Sequence, residues 1–328
     1  MAYERIPSPP SQTNIVPRNP IEPVGSLENL TNGGHDIYLT SRDDITSNPS
    51  WLDGADINAL GGADRTGAII IVEKGDGVVD VFYFMFWAFN YGGQVLGQNL
   101  AGNHVGDWEH IMIRFKGGRP RKAWLSQHAN GEAYTFDALE KDSNGRPLLY
   151  IAKGSHAIYA RQGDIDHTIP NFNTNLPFLL VDQCKAGPRF DPLLSSYVYA
   201  YDRTFRDAVP GQFKGLNTSS LQTGWLFFEG HWGDQEYPAS DKRQKSLVGF
   251  LKYVDGPTGP TSKQLDRKRV WPDNSYASGQ LVRTSLDGST RCKDQLKELW
   301  WRGRGGKKIK GKPNRVYTDG TAAPPRKT

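Results

Sequence analysis

From Val78 to Tyr91 the chain reads Val-Val-Asp-Val-Phe-Tyr-Phe-Met-Phe-Trp-Ala-Phe-Asn-Tyr, almost without a polar break. A strand with one wet face alternates apolar and polar side chains, whereas a strand apolar on both faces must be covered on both. This segment therefore predicts a central strand. It falls short of the roughly 20 apolar residues that cross a bilayer, and it contains Asp80. Its neighbours are strand-like too. Ala68–Lys74 is a β-branched run stopped by Gly75-Asp76-Gly77, and Trp108–Phe115 ends at the turn Lys116-Gly117-Gly118. Ala123–His128 is predicted to pair with Glu132–Phe136 across Asn130-Gly131. Leu148–Ala152, Ser196–Tyr201 and Leu226–Glu229 add further short strands. Helical patterns are confined to a short helix or turn at Trp51–Asn58 and a weak one at Cys292–Trp301. With 36 Gly and 21 Pro to break the chain, the expectation is a mostly β fold. It would be a β-sandwich with long irregular loops and few short helices.

Composition divides the chain into three. Residues 1–35 are proline-rich with no apolar signal core and read as a disordered leader. Residues 36–300 read as a single β-sandwich domain, and residues 301–328 as a basic flexible tail. The net charge of +5 belongs to that tail: residues 302–328 hold nine Lys/Arg and one Asp, which leaves the rest of the chain at −3. Such a tail suits peripheral contact with anionic lipid. Without an organised basic groove interleaved with aromatics, no nucleic-acid partner is expected. No signal peptide or transmembrane segment is visible, so the default compartment is cytoplasmic. Cys184 and Cys292 do not make a disulfide framework, and Asn29 and Asn217 stand in glycosylation sequons.

The chemistry concentrates in Asn103-His104-Val105-Gly106-Asp107-Trp108-Glu109-His110, which holds two of only seven histidines. In a strand, Asp107 and Glu109 point the same way, about 7 Å apart at Cα. Two carboxylates aimed at one point repel unless a cation or a shared proton lies between them. Gly106 allows a bend that brings His104 to the same focus. Two carboxylates and one imidazole form an oxygen-weighted set, suited to a divalent cation such as Mg²⁺, Ca²⁺ or Mn²⁺. His110 falls on the opposite face from the acids and reads as a packing residue. Other strands also end in histidine, at Ser126-Gln127-His128, Gly154-Ser155-His156 and Gly230-His231-Trp232. Singly, each reads as an ordinary loop or capping histidine. Together, His104, Asp107, Glu109, His128 and His156 are expected to converge.

His104-Val-Gly-Asp-Trp-Glu-His110, Ser126-Gln-His128, Tyr150-Ile-Ala-Lys-Gly-Ser-His-Ala157, Trp232-Gly-Asp-Gln-Glu-Tyr-Pro238 and Gly256-Pro-Thr-Gly-Pro260 resemble the vacuolar protein sorting-associated protein 62 family. The likeness spans about residues 70–270 and implies vacuolar association. More distantly, His104-x-x-Asp107-x-Glu109 is similar to the Gly-His-Arg-His-Asp-Trp-Glu heptapeptide of the necrosis- and ethylene-inducing-like toxins. That resemblance implies a β-sandwich on which His104, Asp107 and Glu109 hold a cation that helps engage sphingolipid sugar headgroups. Gly106 replaces the second histidine of the heptapeptide.

Three functions compete. The first is a cation-bearing sandwich that recognises a glycan or lipid headgroup, with Trp108, Trp232 and Tyr159 as candidate stacking surfaces; ordinary core packing is the alternative for all three and the favoured reading for Trp108. The second is a hydrolase or lyase acting on a glycan or small metabolite, with Asp107, Glu109, His128 and His156 as its acid, base or metal-assisted machinery. The third is a trafficking adaptor in which the polar cluster only stabilises the fold. No nucleophile elbow, dinucleotide loop or phosphate loop is present.

Overall fold

The computed structural model describes residues 3–7, 19–20, 27, 31–63, 67–92, 94–95, 98–99, 101–128, 130–167, 180–205, 211–216, 221–247, 250–272 and 282–286. The basic tail, Cys292–Trp301, Asn29, Asn217 and most of the leader lie outside these residues.

The strands are β1 (Tyr3–Pro7), β2 (Asn19–Pro20), β3 (Ile37–Ser41), β4 (Gly67–Gly75), β5 (Val78–Asn90), β6 (Gln94–Val95), β7 (Gln98–Asn99), β8 (His104–Lys116), β9 (Arg119–Gln127) and β10 (Asn130–Thr135). They continue with β11 (Tyr150–Ile151), β12 (Ile158–Tyr159), β13 (Gly163–His167), β14 (Leu180–Cys184), β15 (Ser196–Tyr201), β16 (Phe213–Gly215), β17 (Ser246–Leu247), β18 (Phe250–Leu251) and β19 (Val282–Arg283). Eight of them form one sheet in the order β16-β15-β4-β5-β8-β9-β10-β19. Pairing is antiparallel except between β15 and β4 and between β10 and β19.

The aromatic run is β5, and it sits near the middle of this sheet, between β4 and β8. Both of its faces are covered, as its composition requires. Phe82 and Phe84 share one core with Trp108 and Met112 of β8, roofed by Ile37, Leu39, Leu226, Phe228, Trp232 and Val270. Met85 and Ile113 share the other with Leu125, Phe136, Leu139 and Ile158. The roofs are loops, 3-10 turns, two-stranded ribbons and the small three-stranded sheet β2-β1-β3, because Gly, Pro and Asn interrupt the chain too often there for broad strands. The architecture is mostly β with few short helices. The one α-helical turn among the described residues, α1 (Pro192–Ser195), is capped by the Asp191 side chain accepting from the Leu193 N–H.

Three local expectations are corrected and one, at Trp51–Asn58, is met in a narrower form. Tyr3–Pro7, in the stretch expected as a disordered leader, pairs antiparallel with Ile37–Ser41. The helix or turn expected at Trp51–Asn58 is a 3-10 turn at Ser50–Asp53. The expected strand Leu226–Glu229 is a 3-10 turn, Gly224–Phe227. Leu226, Phe227 and Phe228 all enter the same core, which a strand's alternation would forbid. The hairpin turn is not Asn130-Gly131. Asn130 already pairs with Gln127 and Gly131 with Ser126, so the chain reverses before Asn130.

Candidate functional site

The site is built at the end of the sheet where β8 begins and β9 ends. Alternation along β8 sends Asp107 and Glu109 to the face that carries Ile111 and Ile113, while Trp108 joins the opposite core. Both acids are buried, 6% and 5% exposed. Gly106 enables this arrangement. Its φ is +68°, and a Cβ there would lie 1.8 Å from the Trp232 carbonyl oxygen. The loop at Trp232-Gly233 thus seats directly on the motif, and only glycine fits beneath it.

The β8–β9 ladder stops at the pair Ile111 and Leu125. Beyond it, the Ser126 hydroxyl accepts the His110 N–H at 2.7 Å and donates to the Glu109 carboxylate. The other Glu109 oxygen accepts the His128 N–H at 3.2 Å. His128, directly after the last residue of β9, has φ +54°, a conformation that Asn or Gly usually supplies at tight turns. A histidine there costs about 1–2 kcal/mol, so its ring is the reason for its presence. That ring meets Asp182 of β14, Nε2 to Oδ2 at 3.0 Å. Asp182 also accepts from the hydroxyls of Ser155 at 2.6 Å and Tyr159 at 2.7 Å.

Asp107 is held by a second histidine. His156 Nδ1 lies 3.0 Å from Asp107 Oδ2, and the imidazole stacks on Trp87 with ring centroids 4.5 Å apart. His156 also has positive φ, +59°, so both acid-paired histidines occupy a backbone region that side chains rarely adopt. His104 Nδ1 lies 2.6 Å from the Gly106 carbonyl oxygen. This bond fixes the proton on Nδ1 and leaves Nε2 as the basic nitrogen.

Burial and the neighbouring Asp107 charge push the Glu109 carboxyl up to about 8, against the Ser126 bond and the charges of Lys263 and His128. Burial works against a charge on His128, but Asp182, Glu109 and Asp107 outweigh it and raise this histidine to about 9. Its side chain is 41% exposed, so the acids rather than the surroundings set the direction. Burial lowers His104, opposed chiefly by Asp107.

His104, Asp107, Glu109, His128 and His156 therefore share one electrostatic neighbourhood. His110 does not join them. It lies against Phe84 across the strand, with Nε2 2.8 Å from an Arg267 guanidinium nitrogen. His231 is elsewhere too, stacked on Tyr38 and bonded to the Gly256 carbonyl. The candidate stacking surfaces Trp232 and Tyr159 are corrected: they are only 6% and 2% exposed and belong to the interior, and Trp108, 6% exposed, packs in the core as its favoured reading had it. Sequence reasoning also missed Asp182, the hub of the second acid–histidine pair. Its one signal is an acid in the β-ribbon run Leu-Val-Asp-Gln-Cys. Cys184, in the same run, is a buried free thiol. Among the described residues, no three His, Cys, Asp or Glu side chains are already drawn together as a metal-holding set.

These features define a mostly β protein with a buried acid–histidine cluster at one end of a broad sheet. Residues 70–168 match the family described as Vacuolar protein sorting-associated protein 62, and this region of the chain belongs to that family. In Saccharomyces cerevisiae, the "Putative vacuolar protein sorting-associated protein TDA6" is 39% identical over 251 residues, covering 71% of this chain and 52% of its own length. "Vacuolar protein sorting-associated protein 62" of the same organism is 38% identical over 259 residues, 74% of this chain and 54% of its own. The chain thus spans about half the length of these curated relatives. Among solved structures, "Toxin fold as basis for microbial attack and plant defense" aligns over 41% of this chain and 51% of its own, at 9% identity and a TM-score of 0.22. "NLPPya in complex with glucosamine" aligns over 43% and 59%, at 9% identity and a TM-score of 0.23. Superpositions this loose carry neither a ligand nor a mechanism across. No helix of the described residues is long and apolar enough to cross a membrane.

Proposed function

We propose that the cluster is a cation-assisted recognition site for a glycan or lipid headgroup, used in vacuolar or membrane trafficking. One observation carries the reading: Asp107 and Glu109 lie buried on one face of β8, two residues apart, with His104 beside them. The donor chemistry fits a hard divalent cation such as Mg²⁺, Ca²⁺ or Mn²⁺. Two like charges out of water favour a cation between them, and the His104 Nδ1 bond to Gly106 leaves Nε2 as a ligand nitrogen. His104, Asp107 and Glu109 would hold the ion once His156 and Ser126 loosen their present bonds to the two acids. When bound, the cation supplies Lewis-acid coordination for ligand hydroxyl or phosphate oxygens. The trafficking setting rests on the names of the two yeast relatives. Peripheral attachment to anionic lipid is assigned to the basic tail.

A second reading has its own support in the two acid–histidine pairs, Asp107–His156 and Asp182–His128. Each histidine is oriented by a carboxylate, as in a general acid or base. In that reading Asp107, Glu109, His128 and His156 cleave a glycan or small metabolite.

Metal content after dialysis against limiting Mn²⁺, Ca²⁺ or Mg²⁺ tests the first reading. Wild type is expected to retain one ion, and Asp107→Asn and Glu109→Gln none. Equal content in all three removes the cation. Glycan-array or liposome binding that survives chelator removes its role in recognition. Turnover of a saccharide by wild type, lost in His128→Gln and His156→Gln, favours the second reading.

A further inference from the structure

Between Asp241 and Asp255 the chain reads Lys-Arg-Gln-Lys-Ser-Leu-Val-Gly-Phe-Leu-Lys-Tyr-Val, with four cations and no acid. Within it β17 and β18 form a two-stranded antiparallel ribbon, Ser246 opposite Leu251. The next pair outward sets Lys245 opposite Lys252, whose N–H donates to the Lys245 carbonyl at 2.8 Å. Like charges directly opposite in such a ladder destabilise it. Arg243 is neutralised, with Asp241 at 2.7 Å and Asp44 at 3.4 Å. Among the described residues no carboxylate pairs with Lys242, Lys245 or Lys252. Lys242, Lys245 and Ser246 are exposed, and Phe250, Leu251 and Lys252 are half-buried. The base of the ribbon is braced. The buried Gln244 amide accepts the Tyr253 N–H at 3.0 Å and donates to the carbonyls of Tyr253 at 2.8 Å and Tyr237 at 2.7 Å. The return strand is laced to the chain that enters β8: Gly102 and Asn103 donate to the Leu251 and Lys252 carbonyls at 2.9 and 2.8 Å, and Val254 donates to Asn103 at 3.0 Å.

We propose that this ribbon docks the protein on an anionic phospholipid bilayer, with Lys242, Lys245 and Lys252 against the headgroups. Lysines without carboxylate partners attract a negative surface, each worth about fivefold in binding there. An acidic peptide or a nucleic acid would take the same cations but has no use for the apolar residues that the chain sets between Lys245 and Lys252. A bilayer offers phosphates and, a few Å deeper, hydrocarbon. Lysine suits that boundary, with its methylenes along apolar neighbours and its ammonium among the phosphates. The Lys245–Lys252 pair, unfavourable in water, is relieved between anionic headgroups. The braced base leaves little to be ordered on docking, and the lacing to Gly102 and Asn103 ties the docked ribbon to the end of the sheet that holds the cluster. The contact needs neither a metal ion nor a glycan, so it stands apart from the recognition site proposed above. It adds a folded anchor to the one assigned to the basic tail.

Vesicle sedimentation of the full chain in chelator tests this, with phosphatidylcholine vesicles that contain or lack phosphatidylserine. Wild type is expected to bind only those with phosphatidylserine. The combined change Lys242→Gln, Lys245→Gln and Lys252→Gln should weaken binding on the order of a hundredfold, and the same three changes to Arg should stay within about twofold of wild type. An environment-sensitive fluorophore on Ser246→Cys, in a Cys292→Ser background, should brighten on these vesicles and stay dim with poly-glutamate or RNA. Undiminished binding by the Gln variant overturns the ribbon and leaves the tail as the lipid contact. An equal loss in the Arg variant overturns it too, as does a dim fluorophore on bound protein. Brightening with poly-glutamate or RNA but not with vesicles replaces the bilayer by an acidic protein or a nucleic acid. Because this binding survives chelator, the cation's role in recognition is read from metal content and the glycan array, and the Gln variant should change neither.

Discussion

Glu109 and His110 are adjacent residues of one strand, each nearly fully buried, and they fall into two unlike interiors. On the Glu109 side, acids, histidines and hydroxyls bond to one another and burial drives the carboxyl to hold its proton. On the His110 side, aromatic rings dominate. The imidazole stays neutral, driven far down by burial and by Arg267. Arg267 is itself only 1% exposed and lies over the Phe82 ring at 4.8 Å. Burial favours the neutral form on both sides. The faces differ in their neighbours: one gathers polar groups from several loops at a strand end, and the other closes a core.

Substitutions probe that contrast. Gly106→Ala should do the most damage, because a Cβ there would run into the backbone of the Trp232 loop. A loss of on the order of 4 kcal/mol, or no folded protein, is expected in urea titration, whereas Gly145→Ala, also at positive φ but in open space, should cost far less. Arg267→Ala comes next. It leaves a cavity and an unpaired His110 Nε2, for about 3 kcal/mol, without touching Mn²⁺ uptake. A loss of uptake there would mean the two faces are coupled.

The pH dependence should split by face in chelator-treated protein. Glu109 is raised from 4.5 to about 8, so its contribution to stability is complete below about 4.5 and is lost as pH rises through about 8. His128 adds in the same sense, complete below 6.5 and lost as pH rises through about 9. His110 is lowered well below 6.5, so its contribution is complete above that pH and is lost on acidification. Thermal melts across pH should therefore show Glu109→Gln flattening the alkaline decline and His110→Gln flattening the acid one. Identical profiles for both variants would erase the distinction. The smallest effect should be that of Tyr91→Ala on stability, within about 0.5 kcal/mol, since this residue is 54% exposed and its ring contributes to a surface rather than a core.

Local patterns made much of this visible beforehand. The aromatic run predicts a strand covered on both faces, and β5 is one. The spacing of Asp107 and Glu109 predicts a shared face, with His110 opposite. The readings that failed each needed a distant partner. Nothing near His128 announces that Asp182, 54 residues on, will face it. Leu226–Glu229 looks like a strand until the core that takes three consecutive side chains is known. Trp232 looks like a stacking surface until its ring is found edge-on against the core ring of Trp108, 5.5 Å away.

The sequence alone determined the strand periods, the side on which each β8 residue emerges and the oxygen-rich character of the cluster, because these depend on covalent order and backbone geometry over a few residues. Tertiary structure decided which histidines meet which acids, which aromatics stay at the surface and which carboxyl keeps its proton. Those outcomes depend on through-space neighbours and on the exclusion of water, and chain order does not encode either one locally.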